Sequence, residues 1–134
     1  EEYSIIEIED IILEDVKRYS AVLIRNKKST KFQLKEMIKK AIEHIISIEN
    51  YGFTSHKVKH GDMPADIVYL TVYNQELRRR KKRELSPEND NFICYVQYDK
   101  NKKFPIRNNL VDPYLKKNRE GNFEFNWNPN YKHQ

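Results

Sequence analysis

The chain has 134 residues, 38% hydrophobic and 34% charged, with a formal net charge of +5. That length fits one domain over residues 1–134, and its frequent Ile, Leu, Val, Phe and Tyr exclude the composition of a disordered chain. A single cysteine, Cys94, excludes an internal disulfide framework and a zinc site built on several thiolates, and points to a reducing, cytoplasmic setting.

No apolar run approaches the roughly 20 residues that cross a bilayer, so no membrane partner is expected. The opening Glu1 and Glu2 are acidic where a secretory signal is basic. The absent initiator Met fits a fragment or accessory domain of a larger protein. The abundance of Ile, Lys, Asn and Tyr is associated with A·T-rich, bacterial genomes. Charge is uneven: Glu1, Glu2, Glu7, Glu9, Asp10, Glu14 and Asp15 fall in a stretch with no Lys or Arg, so the remainder is strongly basic.

Residues 3–13 read as a strand, with Ile6 and Ile8 opposite Glu7 and Glu9; a helix over residues 9–18 is the alternative. Residues 20–25 (SAVLIR) read as a second strand, paired with the first as a hairpin. Residues 30–49 carry Leu34, Met37, Ile38, Ala41, Ile42, Ile45, Ile46 and Ile48 at spacings of three and four, the stripe of an amphipathic helix. Thr30 and Gln33 form its capping box, and Asn50 and Gly52 its stop. Residues 51–65 read as a loop punctuated by Gly52, Gly61 and Pro64. Residues 66–73 (DIVYLTVY) are apolar on both faces and read as a central strand.

Next comes the most unusual feature, Arg78, Arg79, Arg80, Lys81, Lys82 and Arg83. At 100° per residue these cations wrap the whole circumference of a helix, which leaves no apolar face to bury. The segment is therefore expected to project, and the strands on either side to pair antiparallel across a long loop. Guanidinium groups match phosphate oxygens bidentately, so nucleic acid is the expected partner. Lys100, Lys102, Lys103 and Arg107 are expected to extend the patch. The ordinary alternative is a solvated loop, or one that meets an acidic protein surface, including the acidic N-terminal segment of this chain or of a second copy.

Residues 92–98 (FICYVQY) read as another central strand. Residues 122–128 (NFEFNWN) alternate, which sets Phe123, Phe125 and Trp127 on one face after a turn at Arg119-Glu120-Gly121. That spacing suits base stacking, and suits equally a sheet face packed on a core.

Catalytic signals are weak. His56, His60, Asp62 and Asp66 are metal ligands by type, but the intervening lysines repel a cation. Asp66 with Asp99-Lys100 is a degraded version of a metal-dependent nuclease pattern. Cys94 reads as a small buried hydrophobe. Three widely spaced glycines make no phosphate-cradling loop, and no cofactor motif is present. The expected fold is α+β: a mostly antiparallel sheet of about five strands with one long amphipathic helix packed on one face. The expected role is a non-catalytic accessory domain that binds nucleic-acid phosphates. A protein–protein assembly or regulatory domain, including a homo-oligomer, is the alternative, and a metal-dependent hydrolase the remote one.

Overall fold

The computed structural model describes residues 2–75, 91–105 and 114–132. Its elements are β1 (Tyr3–Asp10), β2 (Arg18–Arg25), α1 (Lys31–Ile46), α2 (Thr54–His60), β3 (Ile67–Asn74), β4 (Phe92–Asp99), β5 (Lys116–Glu120) and β6 (Phe123–Trp127). They form an α+β fold with a six-stranded sheet in the order β1-β2-β3-β4-β6-β5. Every neighbouring pair is antiparallel except β2 and β3, which run parallel. Parallel neighbours need a long crossover, and the segment carrying α1 and α2 supplies it.

The Thr30 side chain accepts from the Gln33 N–H, and the Gln33 side chain accepts from the Thr30 N–H, so α1 begins with the expected capping box. The helix buries Leu34, Met37, Ile38, Ala41, Ile42 and Ile45 against Ala21, Leu23, Val68, Leu70, Val72, Cys94, Val96 and Phe125. Each Leu or Ile fully buried in this way contributes about 1.5–3 kcal/mol. A second apolar cluster includes Ile24, Tyr69, Tyr73, Phe92 and Tyr95 and lies on the other sheet face; Phe92 joins it because the β3–β4 register shifts between Val72 and Tyr73, which pairs Phe92 with Tyr73.

Several expectations are corrected. Among the described residues the sheet has six strands, where about five were expected. The added one, β5, reads Lys-Lys-Asn-Arg-Glu and lies exposed at the sheet edge. It has no apolar alternation to reveal it, and its charges are what an unprotected edge requires. A second helix, α2, stands where a loop was expected. Gly61, at φ +52, ends it rather than interrupting it, which suits a residue without a Cβ. α1 stops at Ile46, and the Ile48 carbonyl beyond it accepts from the Tyr19 hydroxyl at 3.3 Å. The β5–β6 turn is Gly121-Asn122, with Arg119 and Glu120 still in the strand. In β1 the register shifts between Ile6 and Glu9, with Glu7 at φ +51. This bulge puts Ile6 and Ile8 in different clusters, where simple alternation put them together.

Candidate functional site

The strand register gathers one set of termini at one end of the sheet. Tyr3 pairs Arg25, Arg25 pairs Asn74, Tyr73 pairs Phe92, and Lys116 pairs Trp127. α1 starts at the same end, and Lys31 in its first turn sits 4.5 Å from the Trp127 ring centroid. Arg25, Lys27, Lys28, Lys31, Lys116 and Lys132 therefore share this end with Glu2. The described chain leaves here at Gln75 and returns here at Asn91, whose carbonyl accepts from the Asn74 N–H at 2.7 Å. Arg78 to Arg83, and Arg107, lie outside the described residues.

Arg25 is the unusual residue of this end. It continues the face of Tyr19, Ala21 and Leu23 and is only 3% exposed. Its Nη2 donates to Asn74 Oδ1 at 3.2 Å and to the Tyr131 hydroxyl, and its Cζ stands 5.6 Å from the Tyr131 ring centroid. Its Nε is buried without a partner, and among the described residues no carboxylate pairs with it. Beside it a cavity of about 400 Å³ is lined also by Lys28, Ser29, Asn74, Tyr131 and Lys132. The Ser29 hydroxyl is also buried without a partner among the described residues. A buried guanidinium without a counter-charge is costly.

The opposite end is differently organised. Lys100 lies there, with Lys102 and Lys103, because Asp99 pairs with Ile67 at the start of β3. These three lysines are thus separated from the tethers of the basic run by the length of β4, about 23 Å. The Lys100 ammonium meets Asp66 Oδ1 at 2.9 Å, and that hydrogen bond and charge hold it above its ordinary pKa. Asp99 is buried, and its carboxylate accepts from the N–H groups of Asn101, Lys103 and Phe104. Asp66 also accepts from the Lys17 N–H at 2.9 Å. Both carboxylates of the nuclease-like pattern are therefore engaged in holding turns.

The aromatic strand is a packed sheet face. Phe125 is fully buried, Trp127 nearly so, and Phe123 partly. Phe123–Phe125 and Phe125–Trp127 centroids lie 6.3 and 5.7 Å apart, with near-parallel planes. The ammonium groups of Lys31, Lys35 and Lys39 stand above Trp127, Phe125 and Phe123 at 4.5, 5.5 and 5.8 Å. The positions where bases would stack are occupied by the lysines of α1.

His56 and His60 share α2 but not a ligand. His56 Nδ1 lies 2.7 Å from Asp10 Oδ2, while His60 is buried. Burial raises the Asp10 pKa, but hydrogen bonds from His56, Ile12 and Gly52 bring it below its ordinary value. Among the described residues no group of three or more His, Cys, Asp or Glu is placed to hold a metal ion. Cys94 is fully buried, and burial pushes its thiol far above the ordinary range. No helix among the described residues is long and apolar enough to cross a membrane.

Sequence reasoning missed Arg25 and the buried Lys17, whose Nζ lies 5.0 Å from the Tyr51 ring centroid and donates to the Met63 carbonyl. A signal existed: both sit at the ends of the Tyr19-Ala21-Leu23 face, where alternation calls for apolar residues. Comparison with protein-family models, with curated proteins and with solved structures finds no match to this chain.

Proposed function

We propose that the chain is a non-catalytic accessory domain that binds the phosphate backbone of nucleic acid. The observation that carries this reading is the cationic end of the sheet, from which the segment bearing Arg78 to Arg83 departs and to which it returns. Clustered cations raise the local density of a polyanion, and each neutralised phosphate releases condensed counterions. Lys100, at the far end and answered by Asp66, contributes less to this reading than the sequence pattern implied. The assembly alternative relied on the acidic N-terminal segment as a docking charge. Asp10 and Asp15 of that segment are engaged within the chain by His56 and Lys59.

The test is a titration with a single-stranded oligonucleotide at several salt concentrations. Binding should weaken linearly in log–log form, with a slope near −0.7 per phosphate contacted. Replacing all six residues from Arg78 to Arg83 by Ser should flatten that slope and lower affinity at least about tenfold at low salt. An isotherm that the replacement leaves unaltered would defeat the reading.

A further inference from the structure

We propose that the cavity beside Arg25 binds a nucleoside phosphomonoester, with the phosphate on Arg25 and Ser29. Such a group is found on a free nucleotide and on the phosphorylated end of a strand. The inference extends the polyanion reading from the surface lysines to a built pocket. The Nε donor of Arg25 and the hydroxyl of Ser29 are both buried and without a partner among the described residues, and both residues line the same cavity. Two orphaned donors in one place are a liability in a binding-free protein, since each forfeits its hydrogen bond with water. An anion in the cavity lies against both side chains and supplies the counter-charge that the guanidinium lacks among the described residues, and a small side-chain shift brings the two donors to it.

The position in the fold supports the same conclusion. β2 and β3 are the parallel pair, and the cavity lies at their carboxyl ends, between Arg25 and Asn74. That is where crevices open in α/β units, because the crossover connection leaves the strand ends uncovered. The first turn of α1 begins at Lys31, two residues after Ser29, and it contains no acidic side chain. Its N-terminal dipole therefore adds to the positive potential rather than being cancelled.

The donors choose phosphate over carboxylate. They converge from separate segments: Arg25 from β2, Lys28 and Ser29 from the β2–α1 connection, and Lys132 from beyond β6. A planar carboxylate offers two oxygens to one fork, whereas a terminal phosphate offers three in a tetrahedral array that donors from several directions can share. The volume, about 400 Å³, exceeds what the phosphate needs and falls at the small end of the range for organic ligands. Tyr131, Asn74 and Asn130 line the remainder, a mix of aromatic and polar residues that suits a sugar and base.

The experiment titrates the isotopically labelled full chain with each of the four nucleoside 5′-monophosphates, with adenosine and with inorganic phosphate, following amide and Arg Nε–H resonances. In parallel, the same chain is titrated with one oligonucleotide carrying a 5′-phosphate or a 5′-hydroxyl. The expected result is saturable shifts at Ser29 and at Arg25 Nε–H with at least one monophosphate or with the 5′-phosphorylated strand. Neither adenosine nor the 5′-hydroxyl strand should produce these shifts. Arg25→Lys should weaken the interaction about tenfold to a hundredfold, and Lys132→Gln and Ser29→Ala, which leave the buried guanidinium in place, about threefold to tenfold each.

The two oligonucleotides distinguish a strand end from a free nucleotide as the source of the phosphate. No shift at these residues with any monophosphate or with the phosphorylated strand overturns the proposal. Inorganic phosphate binding alone, with every nucleotide rejected, overturns it too. Should 5′-hydroxyl and 5′-phosphate strands bind equally, with Arg25→Lys and Lys132→Gln neutral, the pocket is refuted while the backbone-binding reading survives. A monophosphate that binds while neither strand does gives the reverse.

Discussion

The two ends of the sheet are built from the same kinds of residue and have opposite electrostatic outcomes. At the end holding Asp66 and Asp99, each carboxylate is matched by donors of the chain itself: Lys100 and the Lys17 N–H for Asp66, three turn N–H groups for Asp99. At the end holding Arg25, the buried cation meets an amide oxygen and a phenol beside a cavity, with no carboxylate among the described residues. Closed polar networks stabilise a fold, whereas a network left open at a cavity is available to a ligand. The nuclease-like carboxylates that attract attention in the sequence belong to the closed end. The inconspicuous last residue of SAVLIR belongs to the open one.

Asp99→Ala should break this comparison most forcefully. It removes a buried acceptor from three backbone N–H groups and frees Phe104, at φ +46, from the contact that holds its backbone there. A loss of about 2–4 kcal/mol in unfolding free energy is expected by urea denaturation, with oligonucleotide affinity unchanged. A change in affinity with intact stability would mean the closed end is a functional site after all.

Asp10→Asn should come next. In the folded chain the Asp10 carboxyl titrates below its ordinary value of 3.8. A depressed folded pKa contributes stability that is present above the unfolded pKa and is lost as pH falls through the folded one. Wild-type stability should therefore fall below about pH 4, and the Asn variant should lose part of that acid dependence along with about 1–2 kcal/mol at pH 7. Parallel pH–stability curves for the two proteins would show that the Asp10–His56 contact carries no linkage.

Arg25→Met sharpens the contrast because its expected effect on stability is small. Removing a buried charge that has no ionic partner leaves no uncompensated charge behind, and the desolvation cost it relieves offsets the two hydrogen bonds lost to Asn74 and Tyr131. Unfolding free energy should change by less than about 1 kcal/mol in either direction, while phosphate-dependent shifts at Ser29 vanish. A loss of about 3 kcal/mol or more would place Arg25 among the structural charges, like Asp99, and erase the difference between the ends.

What could be read from the sequence followed from periodicity. The stripe from Leu34 to Ile45 and the Thr30–Gln33 box fixed α1, because a 3.6-residue repeat and a cap are local signals. The strands of Ile67–Asn74 and Phe92–Asp99 were legible as apolar runs, and their antiparallel pairing followed from the inability of the basic run to form a covering helix. β5 was not legible: an edge strand of charged residues has the composition of a loop. The parallel pairing of β2 with β3 depends on a contact between residues 49 apart, such as Arg25 with Asn74, which local pattern cannot report. The same long-range contact creates the candidate site, so the pocket was hidden for the reason the topology was. Phe123, Phe125 and Trp127 were placed on one face correctly, but alternation does not say whether a helix or a ligand covers that face.

The smallest effect concerns the ridge between the two ends. Glu120 binds Lys35 and Lys39 of α1, and hydrogen bonds and charge from both lysines hold its carboxyl below the ordinary range despite partial burial. All three side chains are partly exposed, so the pair is screened, and Glu120→Gln should cost no more than about 0.5–1 kcal/mol of stability. Its second consequence follows from geometry. Lys31, Lys35 and Lys39 form a line along α1 that begins at the cationic end and runs toward Glu120. Removing the carboxylate that neutralises the last two extends the positive strip, and the salt dependence of oligonucleotide binding should steepen by about one phosphate contact. If the slope is unmoved, the nucleic acid is confined to the Arg25 end and does not follow the helix.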